Sequence, residues 1–283
     1  MSTHLSLPRA ARAERTPAVI ALHCSGGSGR AWRNISPALG GCFNVLAPDL
    51  IGNGTSPHWR GPGRFRLADE AASVVKAIDA SPGSVHLVGH SFGGAVALRA
   101  AVQRPHRIAS LSLYEPVAFH VLAACGDEGR HWMRDLRAVA WDIERSLAAG
   151  KPRLGAERFC DYWSGKGAFA ALRPEAQAAL EYYIPKAEHD FPALIEEPTP
   201  LAAYGMLQAP LLIMRGEFAP PPTALIAAKL AAAMDPGALR VVEGAGHMGP
   251  MSHPAAVAQA VAAHIFDAEV AAVRRTGRFA RHA

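Results

Sequence analysis

The stretch 84–98, SVHLVGHSFGGAVAL, most restricts what this chain can fold into. Val85 to Val88 is an apolar, partly β-branched run, and Gly89-His90-Ser91-Phe92-Gly93 follows at once. An Ala/Val/Leu pattern of helical spacing then continues to about Gln103. A strand that turns this sharply into a helix has no room for side chains two residues before or after the bend. Glycine is therefore required at 89 and 93, while Gly94 and Ala95 let the helix lie close to the strand. The bend forces Ser91 into a strained backbone conformation and holds its hydroxyl above the sheet, at the positive end of the helix. A Gly-x-Ser-x-Gly pentapeptide alone arises by chance in a chain with 26 glycines. The strand before it and the helix after it favour a nucleophile elbow over an ordinary glycine-rich turn.

The same alternation recurs on both sides. Pro17 to Cys24 (PAVIALHC) reads as a parallel strand buried on both faces, and it ends in the glycine-rich loop 23–29. A helix is expected over 31–39, with Trp32 and Ile35 on one face, and a strand over 43–47. An amphipathic helix is expected over 67–80, and a strand over 108–114 that ends at Glu115-Pro116. From about Val117 to Tyr204 only helical patterns appear (131–149, 154–163, 174–184 and 191–197), punctuated by prolines 152, 174, 185, 192, 198 and 200. Strands at 211–214 and 239–242 then alternate with helices at 223–234 and from 254 to about 273.

This order predicts an α/β fold with a mostly parallel sheet and right-handed crossovers. The expected divisions are an N-terminal extension (1–16), a core (17–116 and 205–273), an inserted helical cap (117–204) and a basic tail (274–283). Ligands bind beyond the C-terminal ends of such strands. Residues 24–28, Ser91, Glu115, residues 216–219 and His247 all fall there.

Composition closes off other classes. With 50% apolar and 19% charged residues over 283 positions, the chain has a globular profile. No apolar run approaches the roughly 20 residues that span a bilayer, and the first 17 residues lack a signal-peptide core. Four cysteines (24, 42, 125 and 160) have no metal spacing, so free thiols in a reducing cytoplasm are expected. The net charge of +5 comes from the ends: residues 1–16 carry +2 and residues 274–283 carry +4, leaving about −1 for the body. A nucleic-acid surface needs a basic face on the folded domain, so neither nucleic acid nor a membrane is an expected partner.

Four landmarks in order resemble the α/β-hydrolase family over about residues 17 to 270: HCSGGSG (23–29), PDLIGNGTS (48–56), GHSFG (89–93) and GAGHMGP (244–250). A helical insertion after the strand that follows the elbow helix is also the family's habit. The family's two leading antiparallel strands are shortened or absent, since only some 16 residues precede the first clear strand. The resemblance implies that Ser91 is the nucleophile and His247 its base, because an unassisted hydroxyl is too weak near neutral pH. It implies an oxyanion hole from the N–H groups of Phe92 and Ser25. His23 is expected to brace its loop, Cys24 to be a buried thiol, and Asp49 to shape the 48–56 turn.

The third member is ambiguous. The family's usual Asp position, within Gly216-Glu217-Phe218-Ala219-Pro220, holds Ala219. Some members carry their acid at the strand end occupied here by Glu115; Glu217 and the absence of any acid are the alternatives. The elbow holds Ser where dehalogenases and epoxide hydrolases of this fold hold Asp, which disfavours both reactions. Aromatic residues in 117–204, with Phe119, Trp132 and Trp163 foremost, suggest an apolar pocket roof over a floor of Phe92 and Met248.

The reading is a hydrolase without metal or cofactor that cleaves a small, neutral carboxylic ester or lactone through an acyl-enzyme. Two alternatives stand beside it: a carbon–carbon bond hydrolase of ring-cleavage products, and a non-catalytic small-molecule binder. A homodimer is left open.

Overall fold

A computed structural model describes residues 16–234 and 237–279. Expectations for the N-terminal extension and its shortened leading strands lie outside the described residues. Among the described residues, six strands alternate with helices: β1 (Ala18–Leu22), β2 (Asn44–Leu46), β3 (Val85–His90), β4 (Ile108–Tyr114), β5 (Leu211–Phe218) and β6 (Gly237–Gly246). They form one sheet in the order β2-β1-β3-β4-β5-β6, with every neighbouring pair parallel.

Strand periodicity explains the two-sided burial. Ala18, Ile20 and Leu22 enter one apolar cluster, while Val19 and Ala21 enter the other. The first cluster is covered by α1 (Leu67–Ala80), α2 (Phe92–Gln103) and α6 (Pro221–Ala233). The second lies under Trp32, Ile35 and α7 (Pro254–Phe279). By length and composition alone, 254–275 is apolar enough to cross a membrane, contrary to the expectation above. Its Val257, Val261 and Ile265 are instead buried against the sheet. The helix also runs past the expected end near 273 to Phe279, so part of the expected basic tail is helical.

Between β4 and β5 stand α3 (Gly126–Ala148), α4 (Pro152–Ser164) and α5 (Pro174–Ile195). Two separate helices were expected where α5 is continuous through Pro185 and Pro192. The reason is tertiary. Lys186, next to Pro185, is buried against other segments: its ammonium lies 3.5 Å from Glu70 Oε2 and over the rings of Phe65 (4.3 Å) and Phe92 (4.9 Å), and it pairs with Asp190 one turn on. These buried contacts hold the helix where the prolines remove its own hydrogen bonds.

From β1 the chain moves outward to β2, and from β3 it moves the other way to β4. The loops after β1 and β3 therefore diverge around a crevice at the switch in strand order. Ser25 and Ser91 lie at its mouth.

Candidate active site

The elbow is as tight as its sequence requires. A Cβ on Gly89 would lie 2.6 Å from the Gly93 carbonyl oxygen and the Gly94 Cα, and one on Gly93 would lie 2.4 Å from the carbonyl oxygens of Leu22 and His23. Both are contacts no side chain survives. Ser91 has φ 54° and ψ −117°. The strain is held by its own backbone bonds: Ser91 N–H donates to the Tyr114 carbonyl (3.0 Å), and its carbonyl accepts from Gly94 (3.0 Å) and Val117 (3.2 Å).

Only two non-glycine residues among those described have positive φ, Ser91 and Glu115 (φ 40°). They meet through one imidazole. His247 Nε2 is 3.0 Å from Ser91 Oγ, and His247 Nδ1 is 2.7 Å from Glu115 Oε2. An ionised carboxylate only accepts, so Nδ1 carries the proton and Nε2 is free to accept from the serine hydroxyl. All three residues are buried: Ser91 5%, His247 4% and Glu115 0% exposed.

Glu115 is held in turn by donors. Gly216 N–H donates to Oε1 (2.8 Å), and the Thr223 hydroxyl lies 2.9 Å from Oε2. That hydroxyl also has the Pro220 carbonyl in reach at 2.8 Å, but the charged carboxylate is the stronger acceptor. The other candidate acid, Glu217, is exposed and accepts from Gly244 N–H (2.9 Å), away from the imidazole. Ala219 sits in the turn after β5 with its N–H on the Gly216 carbonyl (3.3 Å).

Two supports escaped the sequence reading. His90 Nε2 lies 2.8 Å from the His247 carbonyl, and the Tyr114 hydroxyl donates to the Gly246 carbonyl (2.7 Å). Burial holds the His90 pKa well below its ordinary value, so its ring is neutral and donates from Nε2. Together they pin the loop that carries His247. The only available signal was His90 within GHSFG and Tyr114 at a strand end, and both read equally well as packing residues.

Backbone N–H groups around the crevice are largely spoken for. Gly93 donates to the His23 carbonyl (3.1 Å), Gly26 to Asn53 Oδ1 (2.9 Å) and Gly27 to the Cys24 carbonyl (3.0 Å). Among the described hydrogen bonds, Phe92 N–H and Ser25 N–H have no protein acceptor. His23 Nε2 accepts from Leu50 N–H (2.9 Å), so its Nδ1–H is left for the Cys24 carbonyl (2.7 Å). Asp49 accepts from Gly29 N–H (2.8 Å) and Thr55 N–H (2.8 Å), which shapes its turn.

Ser91 and His247 open into a cavity of about 310 Å³, lined also by Cys24, Ser25, Phe159, Trp163, Leu180 and Met248. Burial pushes the Cys24 thiol up to about 12, so it stays neutral and offers no rival nucleophile. Three expected lining residues are elsewhere. Phe119, 1% exposed, packs in the core with its ring stacked on Trp163 (6.2 Å). Trp132 is half-buried on α3 against His131 (4.6 Å). The Phe92 ring is turned into the core, 4.9 Å from the Lys186 ammonium, and does not floor the cavity. In each case the sequence marks an apolar ring without saying which wall of the fold it faces. A larger hollow of about 840 Å³ beside α3 and residues 197–201 contains none of the Ser91, His247 and Glu115 group. Among the described residues, no group of three or more His, Cys, Asp or Glu is placed to hold a metal ion.

A strained serine, an imidazole and a buried carboxylate at the carboxyl ends of a parallel sheet define a class, the α/β-sheet hydrolases. A model of the alpha/beta hydrolase family matches residues 19–260, and the chain belongs to that family. Over 99 residues it is 38% identical to lipase LipV of Mycobacterium tuberculosis, a match covering 35% of this chain and 36% of that protein. Over 100 residues it is 36% identical to the 2-hydroxy-6-oxo-2,4-heptadienoate hydrolase of Pseudomonas putida, covering 34% and 36%. The chain thus matches about a third of the length of these curated relatives. An esterase from Thermogutta terrifontis superposes with TM-score 0.66 at 23% identity, over 89% of this chain and 90% of that one. A haloalkane dehalogenase variant from Bradyrhizobium elkanii gives 0.64 at 24%, over 91% and 92%. At such identities the likeness is one of fold.

Proposed function

We propose that this protein is a serine hydrolase that cleaves a small, apolar carboxylic ester or lactone through an acyl-enzyme. The observation that carries the reading is the continuous contact from Ser91 Oγ to His247 Nε2 (3.0 Å) and from His247 Nδ1 to Glu115 Oε2 (2.7 Å). Ser91 attacks the carbonyl carbon while His247 takes the hydroxyl proton; Glu115 keeps the imidazole in the Nδ1–H tautomer and faces the positive charge that forms. The N–H groups of Phe92 and Ser25 receive the oxyanion, each such donor being worth about 3–4 kcal/mol in the transition state. His247 then protonates the leaving alcohol. A water activated by the same histidine releases the acid.

The substrate class follows from the cavity. About 310 Å³ lies at the small end of ligand pockets. Its lining contains no Lys or Arg, and its walls are mainly aromatic, Leu, Ala and Met side chains. A charged acyl group would enter without a counter-charge. This also weighs against the carbon–carbon hydrolase reading, which the Pseudomonas relative keeps in view: a dienoate carries a carboxylate that this lining does not meet. We read residues 117–204 as a cap whose α4 and α5 roof the cavity, and the four unpaired cysteines favour a cytoplasmic setting.

Fluorophosphonate labelling together with a panel of short-chain p-nitrophenyl esters tests the reading. Adduct on Ser91 with ester turnover is expected, and Ser91→Ala should lower kcat by about 10⁵-fold or more. Turnover of vinylogous diketones in preference to esters would install the carbon–carbon reading. A folded protein that forms no adduct and turns over neither class would leave the binder.

A further inference from the structure

Trp163 sits near the end of α4, 7% exposed, with its ring almost parallel to two others. The His247 imidazole lies against it with centroids 4.7 Å apart and planes at 24°. The Phe119 ring backs it at 6.2 Å and 9°. Tyr162 and Phe159 meet it edge-on, at 4.8 and 6.4 Å. The stack joins three remote segments: the turn after β4, the inserted helix α4 and the loop after β6. A cavity-lining apolar residue needs none of this alignment.

The chemistry of the two rings gives the alignment a consequence. An indole presents the most electron-rich face of any side chain, and a cation over that face is attracted to it. In the serine reading above, His247 is neutral at rest and becomes a cation only as it takes the Ser91 proton. The attraction therefore grows along the reaction coordinate. Interactions stronger in the transition state than in the ground state raise kcat rather than substrate affinity. The His247 side chain is only 3% exposed, so water does little to screen it. The other groups facing it are Glu115 on Nδ1, Ser91 on Nε2 and the neutral His90 ring at 5.3 Å. None of these covers the imidazole's face in parallel.

We propose that Trp163 is a positioning residue for His247: its face fixes the imidazole plane toward Ser91 and stabilises the imidazolium formed in catalysis. Because Trp163 belongs to α4, activation of the serine depends on that helix being docked. The inference rests on the serine–histidine reading and is tested separately from it.

The experiment replaces Trp163 alone with tryptophans carrying one to four ring fluorines, which drain the face of electron density with little change of shape. Ester turnover and fluorophosphonate labelling are then measured across the series. The expected result is a progressive fall of kcat, about 5- to 20-fold in total, with KM held within about twofold. Trp163→Leu should lose more than the whole series, and Trp163→Phe should recover part of that loss. A kcat that stays flat across the fluorinated series, with Ser91 still labelled, overturns the proposal and leaves Trp163 a wall of the cavity. Absence of both labelling and turnover in the unsubstituted protein overturns the serine reading instead. The fluorinated series decides the matter even if Trp163→Leu fails to fold.

Discussion

Two buried carboxylates in this molecule, Glu115 and Glu70, are each 0% exposed and yet are treated in opposite ways. Glu115 is met by dipoles aimed at both of its oxygens: Gly216 N–H, the Thr223 hydroxyl and the His247 ring, all within 2.9 Å. Glu70 takes one backbone N–H, from Ile51 (2.8 Å), and looks at the Lys186 ammonium from 3.5 Å. Burial outweighs that distant charge and pushes the Glu70 carboxyl up to about 7. Lys186 spends its closest contact on Asp190 and lies over the rings of Phe65 (4.3 Å) and Phe92 (4.9 Å). Asp190, which also accepts from Tyr183, is itself raised by burial. The first arrangement leaves one edge of an imidazole open to a cavity. The second is sealed in the interior: Glu70, Lys186, Asp190 and Tyr183 do not line the cavity that holds Ser91, though Tyr183 reaches the Ser25 side chain at its edge. Charge burial alone thus does not mark a reactive site. What marks it is a chain of donors with a free end.

That contrast can be broken in order of effect. Glu115→Gln keeps an oxygen for the Gly216 N–H but puts the wrong partner on His247 Nδ1. It should lower kcat by about 10⁴-fold, by steady-state ester kinetics, with an unchanged thermal melt. Lys186→Met leaves Asp190 and Glu70 without their cation and should cost about 3–5 kcal/mol in urea unfolding. Its kcat per folded molecule should fall far less than that of Glu115→Gln, since Lys186 does not line the cavity that holds Ser91.

Glu70 makes a pH prediction with a definite sign. Its folded carboxyl sits at about 7 against an ordinary value of 4.5, so between those values the folded state holds the proton more tightly than the unfolded state. Its contribution to stability is present below pH 4.5 and is lost as pH rises toward 7, with a slope of at most about 1.4 kcal/mol per pH unit. Glu70→Gln should flatten that slope in unfolding free energies measured from pH 4.5 to 8 relative to the parent. The smallest effect belongs to Thr223→Val, which removes one donor from Glu115 and should lower kcat about 3- to 10-fold, with KM unchanged in the same assay.

Much of this was legible before any coordinate. The elbow strand and helix fall at Val85–His90 and Phe92–Gln103, where pattern and glycine spacing put them. The parallel sheet needed only the alternation of buried runs with helices, whereas its strand order comes from the tertiary structure. Less legible were features in which remote segments touch. Ala219 at the familiar acid position left Glu115, Glu217 and no acid in competition. The pairing of Tyr114 with Met214 in the parallel β4–β5 ladder brings the end of β4 beside Gly216, and so delivers Glu115 to the imidazole. Phe119, Trp132 and the Phe92 ring were misplaced for a similar reason. Apolar spacing says that a ring is buried, but not on which side of a cavity wall.

The sequence by itself determined the elements whose constraints are local: a bend too tight for any side chain at 89 or 93, strands buried on both faces, and a histidine in a glycine-rich loop after the last strand. Steric exclusion and hydrophobic periodicity act over a few residues, so they can be read from a few residues. Only the tertiary structure decided which carboxylate meets His247, which indole covers it and why α5 survives two prolines. Those outcomes depend on contacts between segments about 80 to 130 positions apart, and local propensity carries no information about them.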